Sequence, residues 1–220
     1  NGLNINRDVG ATAPAALRRA VLETQADCGI ALDGDGDRLV MVDAAGTLYD
    51  GDQLLYVIVR QRARSQSVPG VAGTLMSNLG FEHALGRLGI ALGRAKVGDR
   101  YVLELMQAKG WLFGGENSGH IICLDRHTTG DGILTALQLV AAMLKEGKAL
   151  SELSALMDVF PQKLINIPVA RKPELETVPE IQEAIAAAEA ALGTQGRILV
   201  RYSGTEPLCR VMVEGPTADI

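Results

Sequence analysis

Two short apolar runs, Gly29-Ile30-Ala31-Leu32 and Leu39-Val40-Met41-Val42, read as buried strands, and the connection between them is Asp33-Gly34-Asp35-Gly36-Asp37-Arg38. The glycines allow unusual backbone angles, so the chain turns tightly and brings the carboxylates of Asp33, Asp35 and Asp37 close together. Like charges at that spacing repel one another. A hard divalent cation with oxygen ligands removes the repulsion, and Mg²⁺ held by carboxylates keeps positions open for water or a phosphate. Arg38 adds a permanently charged planar fork suited to phosphate oxygens. An ordinary solvated turn needs one Asp-Gly pair, whereas this loop has two and a third acid. An EF-hand loop starting at Asp33 is excluded, because its sixth position requires Gly and its twelfth Glu, where the chain has Arg38 and Ala44. An aspartyl-phosphate formed on Asp33 is disfavoured, since the family of enzymes with that chemistry carries Thr or Val four residues on, where Asp37 stands.

Charge and length narrow the function classes. A net charge of -5 argues against nucleic acid or an anionic membrane as the main partner, so local basic residues must handle any phosphate. The 220 residues suffice for one large or two moderate domains. Residues 133–144 form the longest nearly uncharged stretch; it is too short to span a bilayer and contains Thr135 and Gln138, so it reads as a core helix. The opening Asn1-Gly2-Leu3-Asn4-Ile5-Asn6 has neither an initiator Met nor a basic-then-apolar pattern, and the expectation is a chain that begins inside a larger protein. Cys28, Cys123 and Cys209 are odd in number, widely spaced and beside apolar residues, which reads as core thiols in a reducing compartment.

Through residue 157 the pattern alternates strands and helices. Helices are expected over 14–24 (started by Thr12), 51–64, 77–88 (capped by Ser77), 99–110 and 132–145. Strands are expected at 71–75, 91–95, 112–114 and 120–124 besides the pair around the acidic loop. This alternation implies a layered α/β unit with a largely parallel or mixed sheet. After Met157, Pro161, Pro168, Pro173 and Pro179 punctuate an extended stretch. An Ala-rich helix over 180–192 and strands over 197–202 and 208–214 follow, which places a boundary near residue 158 and a smaller α+β domain beyond it.

Three further polar clusters stand out. Gly114-Gly115-Glu116-Asn117-Ser118-Gly119-His120 joins two short strands; in extended geometry Glu116, Ser118 and His120 face one way and suit a polyhydroxylated ligand, while the alternative is a solvated glycine-rich hairpin. Arg201-Tyr202-Ser203-Gly204-Thr205-Glu206-Pro207, with Arg210 beyond, offers hydroxyls, backbone N–H groups and two guanidiniums to an anion; the alternative is an ordinary hairpin with a salt bridge. Lys96-Val97-Gly98-Asp99-Arg100, at a strand-to-helix junction, is a fourth phosphate candidate that in isolation reads as a capping turn.

Taken in this order, the loops resemble the α-D-phosphohexomutase superfamily, whose members carry a metal loop Asp-Gly-Asp-Gly-Asp-Arg, a sugar loop beginning Gly-Glu, and a phosphate loop of the Arg-x-Ser-Gly-Thr-Glu-Pro kind. The blocks Gly73-Thr74-Leu75-Met76-Ser77-Asn78, Lys96-Val97-Gly98-Asp99-Arg100-Tyr101-Val102 and Thr128-Thr129-Gly130-Asp131-Gly132 are similar to those of its bacterial phosphoglucosamine mutase branch. The likeness covers essentially the whole chain. It implies three parts: 1–48 as the end of a second domain with the metal loop, 49–157 as a mixed-sheet third domain with the sugar loop, and 158–220 as a truncated α+β fourth domain with the phosphate loop.

The resemblance further implies interconversion of glucosamine 6-phosphate and glucosamine 1-phosphate through a phosphoserine and a bisphosphate, in the cytoplasm, with room for a homodimer of the full-length protein. Asp33, Asp35 and Asp37 are then the Mg²⁺ ligands. Arg38 and His120 are the catalytic candidates, His120 for proton transfer or positioning. Lys96, Glu116, Ser118, His120, Arg201, Ser203, Gly204, Thr205 and Arg210 bind substrate. The family's phosphoserine lies in a Ser-His-Asn motif, and no Ser here is followed by His-Asn. Phosphomannomutase or phosphoglucomutase activity is the nearest alternative, and a noncatalytic sugar-phosphate-binding module is a second.

Overall fold

A computed structural model of the chain describes residues 2–217. Asn1 and the final three positions of the expected fourth-domain segment lie outside the described residues. The chain divides into two units: residues up to Ser77 together with Phe81–Asp158, and Asn78–Gly80 together with residues from Val159 on.

In the first unit, helix α1 (Ala15–Thr24) precedes strands β1 (Cys28–Leu32), β2 (Leu39–Asp43) and β3 (Leu48–Tyr49). These three strands form their own antiparallel sheet in the order β1-β2-β3, in place of joining the larger sheet as the alternation implied. Consecutive strands six residues apart have no room for a crossover helix and must pair antiparallel. Pro14, not Thr12, stands at the N-cap of α1, without a side-chain cap.

Next come α2 (Gly51–Ala63), β4 (Gly70–Thr74), α3 (Leu79–Gly86), β5 (Ala91–Ala95), α4 (Asp99–Lys109), β6 (Phe113–Gly115), β7 (Ile121–Cys123), α5 (Gly132–Glu146) and α6 (Leu150–Ser154). The four-stranded sheet runs β5-β4-β6-β7, with β4 parallel to both neighbours and β7 antiparallel to β6. Alternate residues along the strands serve opposite faces. Val71, Phe113 and Ile121 join one apolar cluster with α2, α3 and α5, while Ala72 and Ile122 join a second with Val102 and Met106 of α4. The result is a helix-sheet-helix sandwich. Helix α2 is buried almost all round through Leu54 to Val59, and a capping box starts it: Gln53 N–H donates to Asp50 Oδ1 at 3.1 Å and Asp50 N–H to Gln53 Oε1 at 3.2 Å.

The second unit consists of β8 (Gln162–Pro168), α7 (Pro179–Leu192), β9 (Arg197–Tyr202) and β10 (Leu208–Glu214), with an antiparallel sheet in the order β8-β10-β9. Residues 78–80 count with this unit. There Asn78, and not the expected Ser77, serves the start of α3, its Oδ1 accepting the Gly80 N–H at 2.9 Å. Ser77 instead turns its hydroxyl to the Thr74 N–H at 3.1 Å.

Candidate functional site

The pair Leu32↔Leu39 closes the β1–β2 ladder, so the acidic residues occupy the loop that links the two strand ends. One carboxylate oxygen from each of Asp33, Asp35 and Asp37 lies within 4.8 Å of the others. Gly36 makes the turn at φ 74°, a left-handed angle that favours glycine. Asp33 accepts the Arg38 N–H at 3.2 Å through Oδ1 and stands 3.2 Å from Arg38 Nε through Oδ2. Asp37 Oδ2 lies 3.0 Å from His120 Nδ1. Asp37 Oδ1 is buried without a hydrogen bond among the described residues, and Arg38 Nε, at 3.7 Å, is its ion-pair partner.

A buried carboxylate oxygen without a close donor is costly unless a cation meets it. One guanidinium cannot neutralise three carboxylates. The donor set of hard oxygens, with Asp35 exposed, therefore fits a divalent cation that retains part of its water shell. Both Arg38 ion pairs use Nε, and the side chain is 43% exposed, which leaves the terminal nitrogens outside those pairs.

The glycine-rich connection from β6 to β7 is a turn and not the expected extended segment. Glu116 N–H donates to His120 O at 2.9 Å, and Gly119 N–H to Glu116 O at 3.0 Å. Strict alternation of Glu116, Ser118 and His120 is lost, because Gly119, at φ 97°, lets the backbone fold back on itself. A different geometry brings them together. Glu116, Asn117, Ser118 and His120 line a cleft of about 390 Å³ with Asp37, Arg38, Val97, Gly98 and Asp99. The loop is pinned from both sides, by Gly51 N–H on Asn117 O at 3.0 Å and by Leu39 N–H on Gly119 O at 3.2 Å.

Sequence reasoning missed the partner of Glu116. Its Oε1 accepts the Gly98 N–H at 2.9 Å, which ties the 96–100 turn to this loop. Lys96 does not line the cleft; its Nζ lies 5.9 Å from the Tyr101 ring centroid, a weak cation–π contact. The His120 side chain is almost fully buried, with Nδ1 on Asp37 and Nε2 enclosed without a hydrogen-bond partner among the described residues. Facing a carboxylate, Nδ1 carries the proton and donates it, so the imidazole orients Asp37.

In the second unit, Arg201 of β9 and Arg210 of β10 stand directly opposite each other. Arg210 pairs with Glu206 at 2.6 Å, as the plain hairpin alternative anticipates. Arg201 has no carboxylate partner among the described residues, and burial, then the Arg210 charge, lower its pKa. Directly opposed like charges destabilise a sheet unless an anion bridges them. Gly204 and Thr205 are exposed, whereas Ser203 is buried and its Oγ accepts the Glu206 N–H at 3.2 Å, shaping the turn. Lys172, which the sequence did not single out, donates to Ser203 O at 2.6 Å. The thiols are poor nucleophiles: burial pushes Cys123 up to about 11, and burial, then Asp27, raise Cys28. Among the described residues no helix is long and apolar enough to cross a membrane.

Comparison with known proteins assigns the chain to a family. Residues 50–160 match the family model of the phosphoglucomutase/phosphomannomutase alpha/beta/alpha domain III, and residues 164–220 match that of the C-terminal domain of the same family. The chain is 64% identical to phosphoglucosamine mutase of Dechloromonas aromatica, over 99% of this chain and 48% of that protein. It is 62% identical to that of Aromatoleum aromaticum, over 98% of this chain and 48% of that protein. The chain thus spans about half the length of these curated relatives. An Aspergillus fumigatus N-acetylphosphoglucosamine mutase, solved in complex with GlcNAc-6P and magnesium, superposes with a TM-score of 0.75 at 20% identity, over 96% of this chain and 53% of that one, which speaks to the fold alone.

Proposed function

Because the chain belongs to the phosphoglucomutase/phosphomannomutase family, we propose that it carries the metal, sugar and phosphate loops of a mutase interconverting glucosamine 6-phosphate and glucosamine 1-phosphate. The observation that carries this reading is the Asp37–His120 contact, which joins the acidic and glycine-rich loops into one wall of one cleft. Mg²⁺ held by Asp33, Asp35 and Asp37 would supply electrostatic stabilisation of a transferring phosphoryl group. Arg38 meets phosphate oxygens with its terminal nitrogens. His120 holds Asp37 in place.

Glu116 keeps one oxygen on Gly98 N–H and offers the other to sugar hydroxyls or the amino group, with Ser118 beside it. Arg201 and Arg210, with Gly204 and Thr205 at the turn, grip the nonreacting phosphate. One fixed grip serves either end of the sugar only if the bisphosphate turns around between half-reactions. No serine here is assigned as the phosphoryl donor. On this reading 1–48, 49–157 and 158–220 are the end of a second domain, a third domain and a fourth, and the setting is cytoplasmic.

Calorimetry of glucosamine 6-phosphate with the 220-residue chain in Mg²⁺ tests the phosphate assignment. Affinity should fall as salt rises. Arg201→Ala should weaken it by more than about fivefold, beyond the roughly 1 kcal/mol of an exposed ion pair. Equal affinity for the wild type and that variant would overturn the grip.

A further inference from the structure

The segment Thr128-Thr129-Gly130-Asp131-Gly132 has no part in the scheme above, yet it touches both loops that form the cleft wall. Gly132 N–H donates to Gly36 O, at the turn of the acidic loop, at 2.8 Å. A Cβ on Gly132 would stand 2.9 Å from both Gly36 O and Arg38 O and 2.6 Å from Leu32 Cδ2. Gly130 lies against the His120 ring, where a Cβ would approach Cε1 and Nε2 to 2.5 Å. Neither glycine has a positive φ, so the backbone angle does not demand glycine at either position. Space does. Asp131 between them fixes the start of α5, its Oδ1 accepting the Leu134 N–H at 2.8 Å and its carbonyl the Thr135 hydroxyl at 2.7 Å.

We propose that Gly130 and Gly132 are positioning residues that seat the His120 ring and the acidic loop, so that Asp33, Asp35 and Asp37 close on one divalent cation. The inference rests on reading that loop as a metal site. The physical reason is register. Two close contacts at the start of one helix restrict the placement of a loop whose three carboxylates already lie within 4.8 Å of one another, and in which Asp37 Oδ1 is buried without a hydrogen bond. A side chain at either glycine must push the loop or the imidazole away.

Mn²⁺ titrations of the 220-residue chain, read by the paramagnetic resonance of free Mn²⁺ and competed with Mg²⁺, measure the seat without any turnover. Gly132→Ala should lose at least fivefold in Mn²⁺ affinity. Gly130→Ala should lose about threefold and shift the His120 ring resonances. Ala is a better helix former than Gly, so if Gly132 served only the helix its variant would melt no lower and bind Mn²⁺ as the wild type does. Gly86→Ala, at a site with nothing within 4 Å of the added carbon, should bind as the wild type does.

If a variant fails to fold, the wild type decides: Mg²⁺ should slow exchange of the Gly132 amide and move the His120 resonances, and silence at both would overturn the proposal. Equal Mn²⁺ affinity in the wild type and Asp35→Asn would overturn the metal reading itself. Affinity lost in Asp35→Asn but kept in Gly132→Ala would overturn the seat alone.

Discussion

Glu116 holds two neighbours at once: its carboxylate fixes the Gly98 N–H, and its backbone closes the turn onto His120. Only the first contact uses the side chain, so Glu116→Ala should spare the turn and cost the cleft. In the full-length protein we expect kcat/KM for glucosamine 6-phosphate to fall by about 30- to 1000-fold, the equivalent of roughly 2–4 kcal/mol for a charged group whose partners are left unpaired. Kinetics within twofold of wild type would reduce the loop to a hairpin. The clustering of Asp33, Asp35 and Asp37 was legible from residue types alone, because acids alternating with glycines in a tight turn are forced together. The Glu116–Gly98 bond was not. A side chain that reaches a backbone N–H across a sheet leaves no trace in residue type, and nothing in the sequence distinguishes a buried His120 from an exposed one. Which of the two hydroxyls, Ser203 or Thr205, folds back onto the turn was equally unreadable, since the structure buries the first and exposes the second.

Among the elements, the small sheet beside the acidic loop depends on Asp43 at the end of β2. Its Oδ1 accepts the Ala45 and Thr47 N–H groups at 3.0 and 2.8 Å, and its Oδ2 the Tyr49 hydroxyl at 2.8 Å. Burial pushes the carboxyl up, but these donors outweigh it and hold Asp43 below the ordinary carboxylate range. A depressed folded value means that the stabilisation is present above about pH 4, where the unfolded carboxylate is ionised, and is lost as pH falls below it. Asp43→Asn should therefore cost about 1–3 kcal/mol at pH 7 and less at pH 3, as read from urea unfolding. The same gap at both values would contradict this account.

Periodicity found the long helices α2 and α5 because each carries enough apolar residues to repeat. It missed β3, of two residues, and α6, of five, which are too short to show a period and exist through packing. The antiparallel pairing of β1 with β2 was readable from the short connection and was obscured by the alternation that follows it.

For the whole molecule, the proposed reading assigns different parts of the chemistry to the two units. The first holds the cleft with Asp37, Arg38, Glu116 and His120, and the second holds the Arg201–Arg210 pair. The division of the chain after Asp158 falls where composition shifts, at the proline-rich stretch after Met157. Exact side-chain assignments within each loop were not visible in the sequence, since they depend on which turn the glycines adopt. The most direct test is turnover by the full-length protein with Mg²⁺ and a catalytic amount of the bisphosphate, offered glucosamine 6-phosphate, mannose 6-phosphate and glucose 6-phosphate in parallel. The account predicts the highest kcat/KM for glucosamine 6-phosphate and its collapse when Asp33, Asp35 and Asp37 are all replaced by Asn. Undiminished turnover in that variant, or no turnover with any of these sugars in the wild type, would contradict it.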